Sequence, residues 1–406
     1  MTYSISFKTI PLTLLAALGI GCVEVKDKDS ATAAANPPAS AVVDTSAAAV
    51  PSYEQFSVDT AGAGARFAST PADDSAYSKI SDRSASAALT RFPARIPKRG
   101  PAALQIQVML DRAHFSPGII DGIWGDNAAK ALAYFSSPKD SSASMPAMTD
   151  SSTMVDQATY QRLVSAAGSV PAVTRYSVTA EDVKGPFNQI PDNVYEQAKL
   201  DCLCYANAAE AIAEKFHTSR KLLTQLNPGI SLDSVAAGTA LMVPNVEAVD
   251  LTATQPSMAS NGAAGVPVTG QVARLIVSRK GYWTHAVDAS GKILYHFPST
   301  LGAGYDPSPE GGFKVTNIAW NPTFHYQPTL FHEVPNSKPE AQLPKGPNSP
   351  VGVVWMALSK PHYGIHGTSS PETIGYANSH GCVRLTNWDA VELGRVINSG
   401  VDVQFR

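Results

Sequence analysis

Residues 362–390 read HYGIHGTSSPETIGYANSHGCVRLTNWDA, and how this stretch is read decides the C-terminal fold and its chemistry. Cys382 stands inside Ser379-His380-Gly381-Cys382-Val383-Arg384, two residues after His380 and sixteen after His366 (382 − 366). A cysteine attacks acyl groups as its thiolate, so it needs a base within reach or surroundings that lower its pKa. Gly367 and Gly381, beside the histidine and the cysteine, are positions where backbone can approach a ligand closely. The amides of Gly381 and Cys382 are then suited to an oxyanion hole. As a zinc site the set is poor, lacking paired CxxC or HxxxH spacing. As buried structural residues, SHGC with flanking glycines fills space badly. A thiol nucleophile fits best. On an extended strand His380 shares the cysteine's face but projects in parallel, about 6–7 Å away at a rise of roughly 3.3 Å per residue. The thirteen-residue excursion from His366 to Ser379 (379 − 366) is long enough to fold back and bring the His366 ring over the sulfur. His366 is therefore the expected base.

The text around this stretch has the texture of strands. Ala273–Ser278 and Tyr282–Val287 alternate around Arg279-Lys280-Gly281, and Asp288-Ala289-Ser290-Gly291 turns the chain into Lys292–Phe297. Gly312–Val315, Val351–Leu358 and Val401–Phe405 add further strands, so an antiparallel β architecture is expected. One helix, Trp388–Ile397, follows the motif with Asn387 as its expected cap.

The sequence HGT followed by a loop and SHGCVRL resembles the YkuD-type L,D-transpeptidase catalytic domain. Pro309–Val315 (PEGGFKV) and Trp355–His366 resemble the strands that lead to that family's histidine. The resemblance covers roughly residues 272–406 and implies a mainly β, sandwich-like domain. It implies Cys382 as nucleophile, His366 as base, and the Gly367 carbonyl as the group that orients the imidazole. His380 and Arg384 would position substrate, Ser379 would steady the loop, and Tyr363 would line the donor pocket. Arg384, where some members carry asparagine, is suited to a substrate carboxylate. The implied reaction is attack on the L-centre carbonyl of the third residue of a tetrapeptide stem, loss of D-alanine, and transfer of the acyl group to an amine of another stem. Water as acceptor would make the protein a carboxypeptidase. A non-catalytic wall-anchoring protein is the reading from another class, and retention of His366, Gly381 and Cys382 together argues against it. No cofactor and no metal is expected.

The 406 residues leave room for two or three domains, and a net charge of −3 offers no basic footprint for nucleic acid. Lys8 and the apolar run Ile10–Ile20 (IPLTLLAALGI) read as a secretory signal over residues 1–22, too short for a spanning helix. Leu18–Cys22 resembles a bacterial lipobox, with Gly19 where leucine is usual. The resemblance implies lipidation of Cys22, and Val23 in place of aspartate implies anchoring to the outer membrane, facing the periplasm. Residues 23–98, rich in Ala, Ser, Thr, Asp and Pro, read as a disordered tether.

Residues 99–168 carry Leu104, Val108 and Leu110 on a helical stripe, a break at Pro117-Gly118, and a turn at Asp121–Asp126. A second helix follows, capped by Asp126, and a third at Val155–Ala167 after a serine-rich insertion. The LQ helix, DGxxG turn and AL–F helix resemble the small all-α peptidoglycan-binding module. Residues 172–250 open on a strand at Tyr176, continue through NAAEAIAEKFHTS and KLLTQLNPGIS, and close on AAGTALMVPNV, resembling the α+β LysM carbohydrate-binding module. The stretch from Val183 to Cys204 is longer than that family usually has. His217 lies at a helix end and is not expected to be a ligand. Cys202-Leu203-Cys204 is too close for an unstrained staple, so two free thiols in a helix are expected. Residues 251–271 read as a linker. The fold class expected is thus multidomain, with peptidoglycan stems and glycan strands as partner and the two upstream modules raising local concentration.

Overall fold

The computed structural model describes Leu89 and residues 91–137, 154–252, 257–258, 271–331 and 333–406. The expected signal segment, Cys22, most of the expected tether, residues 138–153 and most of the linker lie outside the described residues.

A short strand, β1 (Ala94–Arg95), opens the first unit and pairs antiparallel with β2 (Met154–Val155). Packed structure therefore begins before residue 98, because Ala94 and Ile96 are buried against the helices that follow. Helix α1 (Pro101–Arg112) starts with proline at its first turn, where the missing N–H costs nothing. Its Ile106, Met109 and Leu110 enter one core, while Leu104 and Val108 enter another. A helix apolar on two sides is a helix with neighbours on two sides. Helix α2 (Asp126–Ser136) is capped by Gly125 rather than Asp126, which stands at the first helical position and favours the helix dipole there. Helix α3 (Gln157–Ala167) is capped by Asp156, whose carboxylate accepts the Thr159 N–H at 2.7 Å.

The second unit pairs β3 (Val173–Ser177) antiparallel with β4 (Ala240–Pro244) and packs α4 (Ala208–Lys215) and α5 (Arg220–Leu226) against them. Asn207 and Ser219 cap the two helices. Cys202 and Cys204 are neither helical nor free: they form a disulfide with Cα atoms 5.2 Å apart. In a non-helical loop, side chains two residues apart share a face, and a slight bend brings their Cα atoms into disulfide range. Leu203 between them is fully buried with Val194, Tyr326 and Leu343, so the long insertion is a packing element.

The third unit follows a short ladder of β5 (Val249–Asp250) and β6 (Ser257–Met258). Its strands are β7 (Arg274–Ser278), β8 (Trp283–Val287), β9 (Ile293–Pro298), β10 (Leu301–Gly302), β11 (Gly311–Trp320), β12 (Phe324–Tyr326), β13 (Ala341–Leu343), β14 (Val354–Leu358), β15 (Gly364–His366), β16 (Asn378–Ser379), β17 (Val383–Arg384) and β18 (Asp402–Phe405). Eight of them form one sheet in the order β17-β15-β14-β11-β18-β7-β8-β9. The sheet is mixed rather than antiparallel, since β18 runs parallel to β7 and β15 parallel to β17. Strand β11 joins its two halves. It pairs with β18 through Gly311–Lys314 and with β14 from Val315 onward, with a register shift between Val315 and Asn317 that bends the strand.

Helix α6 (Asn387–Val396) lays Trp388, Val391 and Leu393 over Val354, Met356 and Ile365. Its cap is Thr386, which accepts the Asp389 N–H at 3.1 Å, and Asn387 instead turns inward, fully buried. Edge strand β9 is covered by the first unit: His296 N–H donates to His114 O and Ser116 N–H to His296 O.

Candidate active site

Strand pairing brings the site together. Trp355 of β14 stands opposite His366 of β15, and His366 stands beside Arg384 of β17, with Ile365 beside Val383. Ile365 and Val383 point into the core, so alternation places Gly364, His366, Arg384 and the preceding Cys382 on the other face. Parallel neighbouring strands thus set His366 and Cys382 on one face, with Cys382 beside Gly364 and His366 two residues further along its strand. The excursion between them is the crossover. It is held by helix α2, where Asn127 Nδ2 donates to Ile374 O at 2.9 Å, and Gly375 passes so close that a Cβ would lie 2.4 Å from Asn127 Oδ1.

His366 is 3 % exposed and stacks on Trp355, ring centroids 5.2 Å apart. Its Nδ1–H donates to the Gly367 carbonyl at 2.7 Å, which leaves Nε2 with its lone pair available. Burial, aided by the Arg384 charge, holds the imidazole down at about 3, so the ring is neutral. Cys382 is half-buried and its thiol donates to His362 O at 3.6 Å. Burial pushes the thiol up to about 11, outweighing the Gly364 N–H and the Arg384 guanidinium, which favour the thiolate. The resting pair is therefore a neutral thiol and a neutral imidazole.

His380 does not lie on an extended strand. The chain bends at Gly381, with φ +88°, and a Cβ there would lie 2.7 Å from the Tyr363 ring. The bend turns His380 toward Glu333, whose Oε1 lies 2.8 Å from His380 Nε2, and onto the edge of Phe331. Burial lowers the His380 pKa, while Glu333 opposes that. The carbonyls around the bend are fixed by hydroxyls: Ser379 Oγ donates to Cys382 O at 2.5 Å and Ser308 Oγ to Gly381 O at 2.8 Å. The N–H groups of Gly381 and Cys382 donate to no acceptor among the described residues. Arg384 is buried, and Tyr363 is half-buried under the Lys360 ammonium, 4.7 Å from its ring.

Sequence reasoning did not single out Ser308, gave Trp355 no role of its own, and read Asn387 as a helix cap rather than as an inward-facing group. Trp355 was legible in principle, since alternation from the core residues Val354 and Met356 puts it on the face of His366. Ser308 carried no local signal, and the local signal at Asn387 pointed to a cap that Thr386 supplies instead. His217, set aside as a ligand, is buried, with Nδ1 2.9 Å from Asp111 Oδ2 and its ring stacked on Trp388.

The catalytic-domain model of the YkuD L,D-transpeptidases matches residues 273–404. A YkuD protein of Bacillus licheniformis is 31% identical over 194 residues, spanning 48% of this chain and 90% of the relative. Its counterpart in Bacillus subtilis strain 168 is 26% identical over 193 residues, with the same coverage. Among solved structures, an L,D-transpeptidase from Mycobacterium smegmatis aligns at 19% identity and TM-score 0.28, covering 42% of this chain and 74% of that one. With nearly the whole length of the Bacillus licheniformis relative matched at that identity, the chain belongs to the L,D-transpeptidase family with a YkuD-type catalytic domain.

Proposed function

We propose that the protein is a peptidoglycan L,D-transpeptidase working through Cys382. The observation that carries this is the His366 Nδ1–H bond to the Gly367 carbonyl, which presents a neutral Nε2 on the face that holds the cysteine. As Sγ attacks the L-centre carbonyl of the third stem residue, its proton passes to His366 Nε2. A general base that accepts the proton during attack needs no preformed thiolate. The resulting imidazolium returns that proton to the amine of the departing D-alanine, leaving a thioester on Cys382. An amine of a second stem then attacks the thioester, its proton goes to Nε2, and collapse expels the thiolate, which recovers the proton. The amides of Gly381 and Cys382 are available to the oxyanion, and Arg384 to a substrate carboxylate. The two upstream units, by their resemblances, would hold the enzyme on the wall polymer.

The test is incubation with tetrapeptide-bearing muropeptides and mass spectrometry of the products. Cross-linked dimers are expected, and stems shortened by D-alanine without dimers would mean water is the acceptor. Cys382→Ala should abolish both the acyl-enzyme and turnover while the protein stays folded; a variant that still turned over would overturn the assignment. We place the protein in the periplasm, anchored through a lipidated Cys22. Cys22→Ser should then move it from the membrane fraction to the soluble fraction, and unchanged fractionation would favour simple cleavage or wall binding as the retaining force.

A further inference from the structure

Helix α4 belongs to the second unit, yet one of its side chains reaches the catalytic domain's interior. Glu214 is 5 % exposed and accepts two hydrogen bonds on Oε2, from Tyr205 Oη at 2.9 Å and from Asn387 Nδ2 at 3.2 Å. Asn387 is fully buried, and its second amide hydrogen goes to Pro347 O at 3.1 Å. Its Oδ1 accepts the Val353 N–H at 3.3 Å. With both ends of the amide occupied, the side chain has one orientation.

That orientation matters to the site. Asn387 Oδ1 sits in a notch between Gly352 and Gly367, where an added Cβ would come within 2.0 and 2.3 Å of it. Gly367 is thus backed by Asn387 on one side and tied through its N–H to Val354 O at 3.2 Å. Its carbonyl is the acceptor that sets the tautomer of His366. Without Glu214, Asn387 keeps the bonds to Pro347 O and from the Val353 N–H but loses its third anchor, so its position against Gly367 is held less firmly.

We propose that Glu214 is a positioning residue for His366, acting from the second unit through Asn387 and the Gly367 carbonyl. The role rests on the assignment of His366 as the base acting on Cys382. A group at this depth works best uncharged, and burial does push the Glu214 carboxyl up to about 8, so that the neutral acid predominates at neutral pH. Glutamine reproduces the oxygen that both donors use, and leucine removes it.

The experiment compares Glu214→Gln and Glu214→Leu in the full chain, by muropeptide kinetics and by 15N NMR of the His366 ring. Small displacements of a catalytic group are costly, so Glu214→Leu should lower kcat about tenfold with KM within about twofold, while Glu214→Gln retains kcat within about twofold. The ring should be a single Nδ1–H tautomer in the parent and in Glu214→Gln, and a mixture in Glu214→Leu. A folded Glu214→Leu with unchanged kcat and an unchanged tautomer would overturn the role, as would a Glu214→Gln as impaired as Glu214→Leu. Should Glu214→Leu not fold, Glu214→Leu/Tyr205→Phe, which leaves no orphaned hydroxyl, takes its place under the same criteria. Cys382→Ala separates the two readings. Turnover there sinks the thiol assignment, whereas an inert Cys382→Ala beside an unaffected Glu214→Leu sinks only the positioning role.

Discussion

Two seams join upstream units to the catalytic sheet, and their chemistry differs. In the seam formed by α2, Tyr134 packs edge-on against His285 (centroids 4.4 Å) and against Trp283 (5.3 Å), with His296 at 5.2 Å. His285 Nε2 and His296 Nδ1 share one hydrogen bond of 2.9 Å, while His285 Nδ1 and His296 Nε2 meet no hydrogen-bonding partner among the described residues. Both imidazoles are fully buried, and burial holds both pKa values down, that of His296 to about 3. In the seam formed by α4, Tyr205, Glu214 and Asn387 leave no fully buried polar atom without a partner. The first seam is mainly ring packing around a buried histidine pair, with single directed bonds from Asn127 to Ile374 O and from Lys130 to Gly281 O. The second is a closed hydrogen-bond network, which fixes directions.

The sharpest way to probe that contrast starts at the end of the second seam. His366→Ala should cut turnover by about 10²–10⁴-fold, the usual worth of a general base. Iodoacetamide labelling of Cys382 should meanwhile still be rising above pH 9 in parent and variant alike, because burial rather than the imidazole keeps the thiol up at about 11. Labelling that levels off near neutral pH in the parent alone would show an ion pair and break this reading.

A smaller effect, in stability alone, is expected of the first seam. Tyr134, 3 % exposed, should cost about 3–5 kcal/mol when replaced by alanine, read by chemical denaturation. kcat per folded molecule should not change. If it falls, the first seam also carries geometry and the contrast fails.

Acid and alkali should act on the two seams with opposite sign. His296 has a folded pKa of about 3 against 6.5 unfolded, and His285 is shifted the same way. Between those values the unfolded chain binds more protons, so stability falls as pH drops from 6.5 toward 3. His285→Leu/His296→Leu should flatten that limb in urea titrations run across the range; an unchanged slope would remove the pair as its source.

The smallest effect is expected for Glu214, whose carboxyl rises from 4.5 to about 8 on folding. Here the folded state binds the extra proton, so stability is fully present below 4.5 and declines as pH rises through 8. Glu214→Gln should make the same titration flatter over that window, and an equally steep decline would place the ionisation elsewhere.

What the sequence determined by itself was local. Apolar periodicity marked the helices that became α1, α2, α4 and α5, because that signal lies within four residues of where it acts. The expected caps Asp126 and Asn387, by contrast, each fell one residue past the true ones, Gly125 and Thr386. The resemblance carried by the HGT and SHGC motifs implied Cys382, His366 and Gly367 as one site before any strand was paired. Tertiary structure decided the rest. Whether His380 or His366 faces the cysteine depends on the bend at Gly381 and on the parallel register of β15 and β17, and neither leaves a mark on residue order. The state of Cys202 and Cys204 depended on a loop conformation that composition does not specify. The thiol's pKa depends on depth, which the motif does not contain. Glu214 reads as one more polar residue of an amphipathic helix. Its partner Asn387 lies 173 positions away, and only packing of the two units decides that they meet.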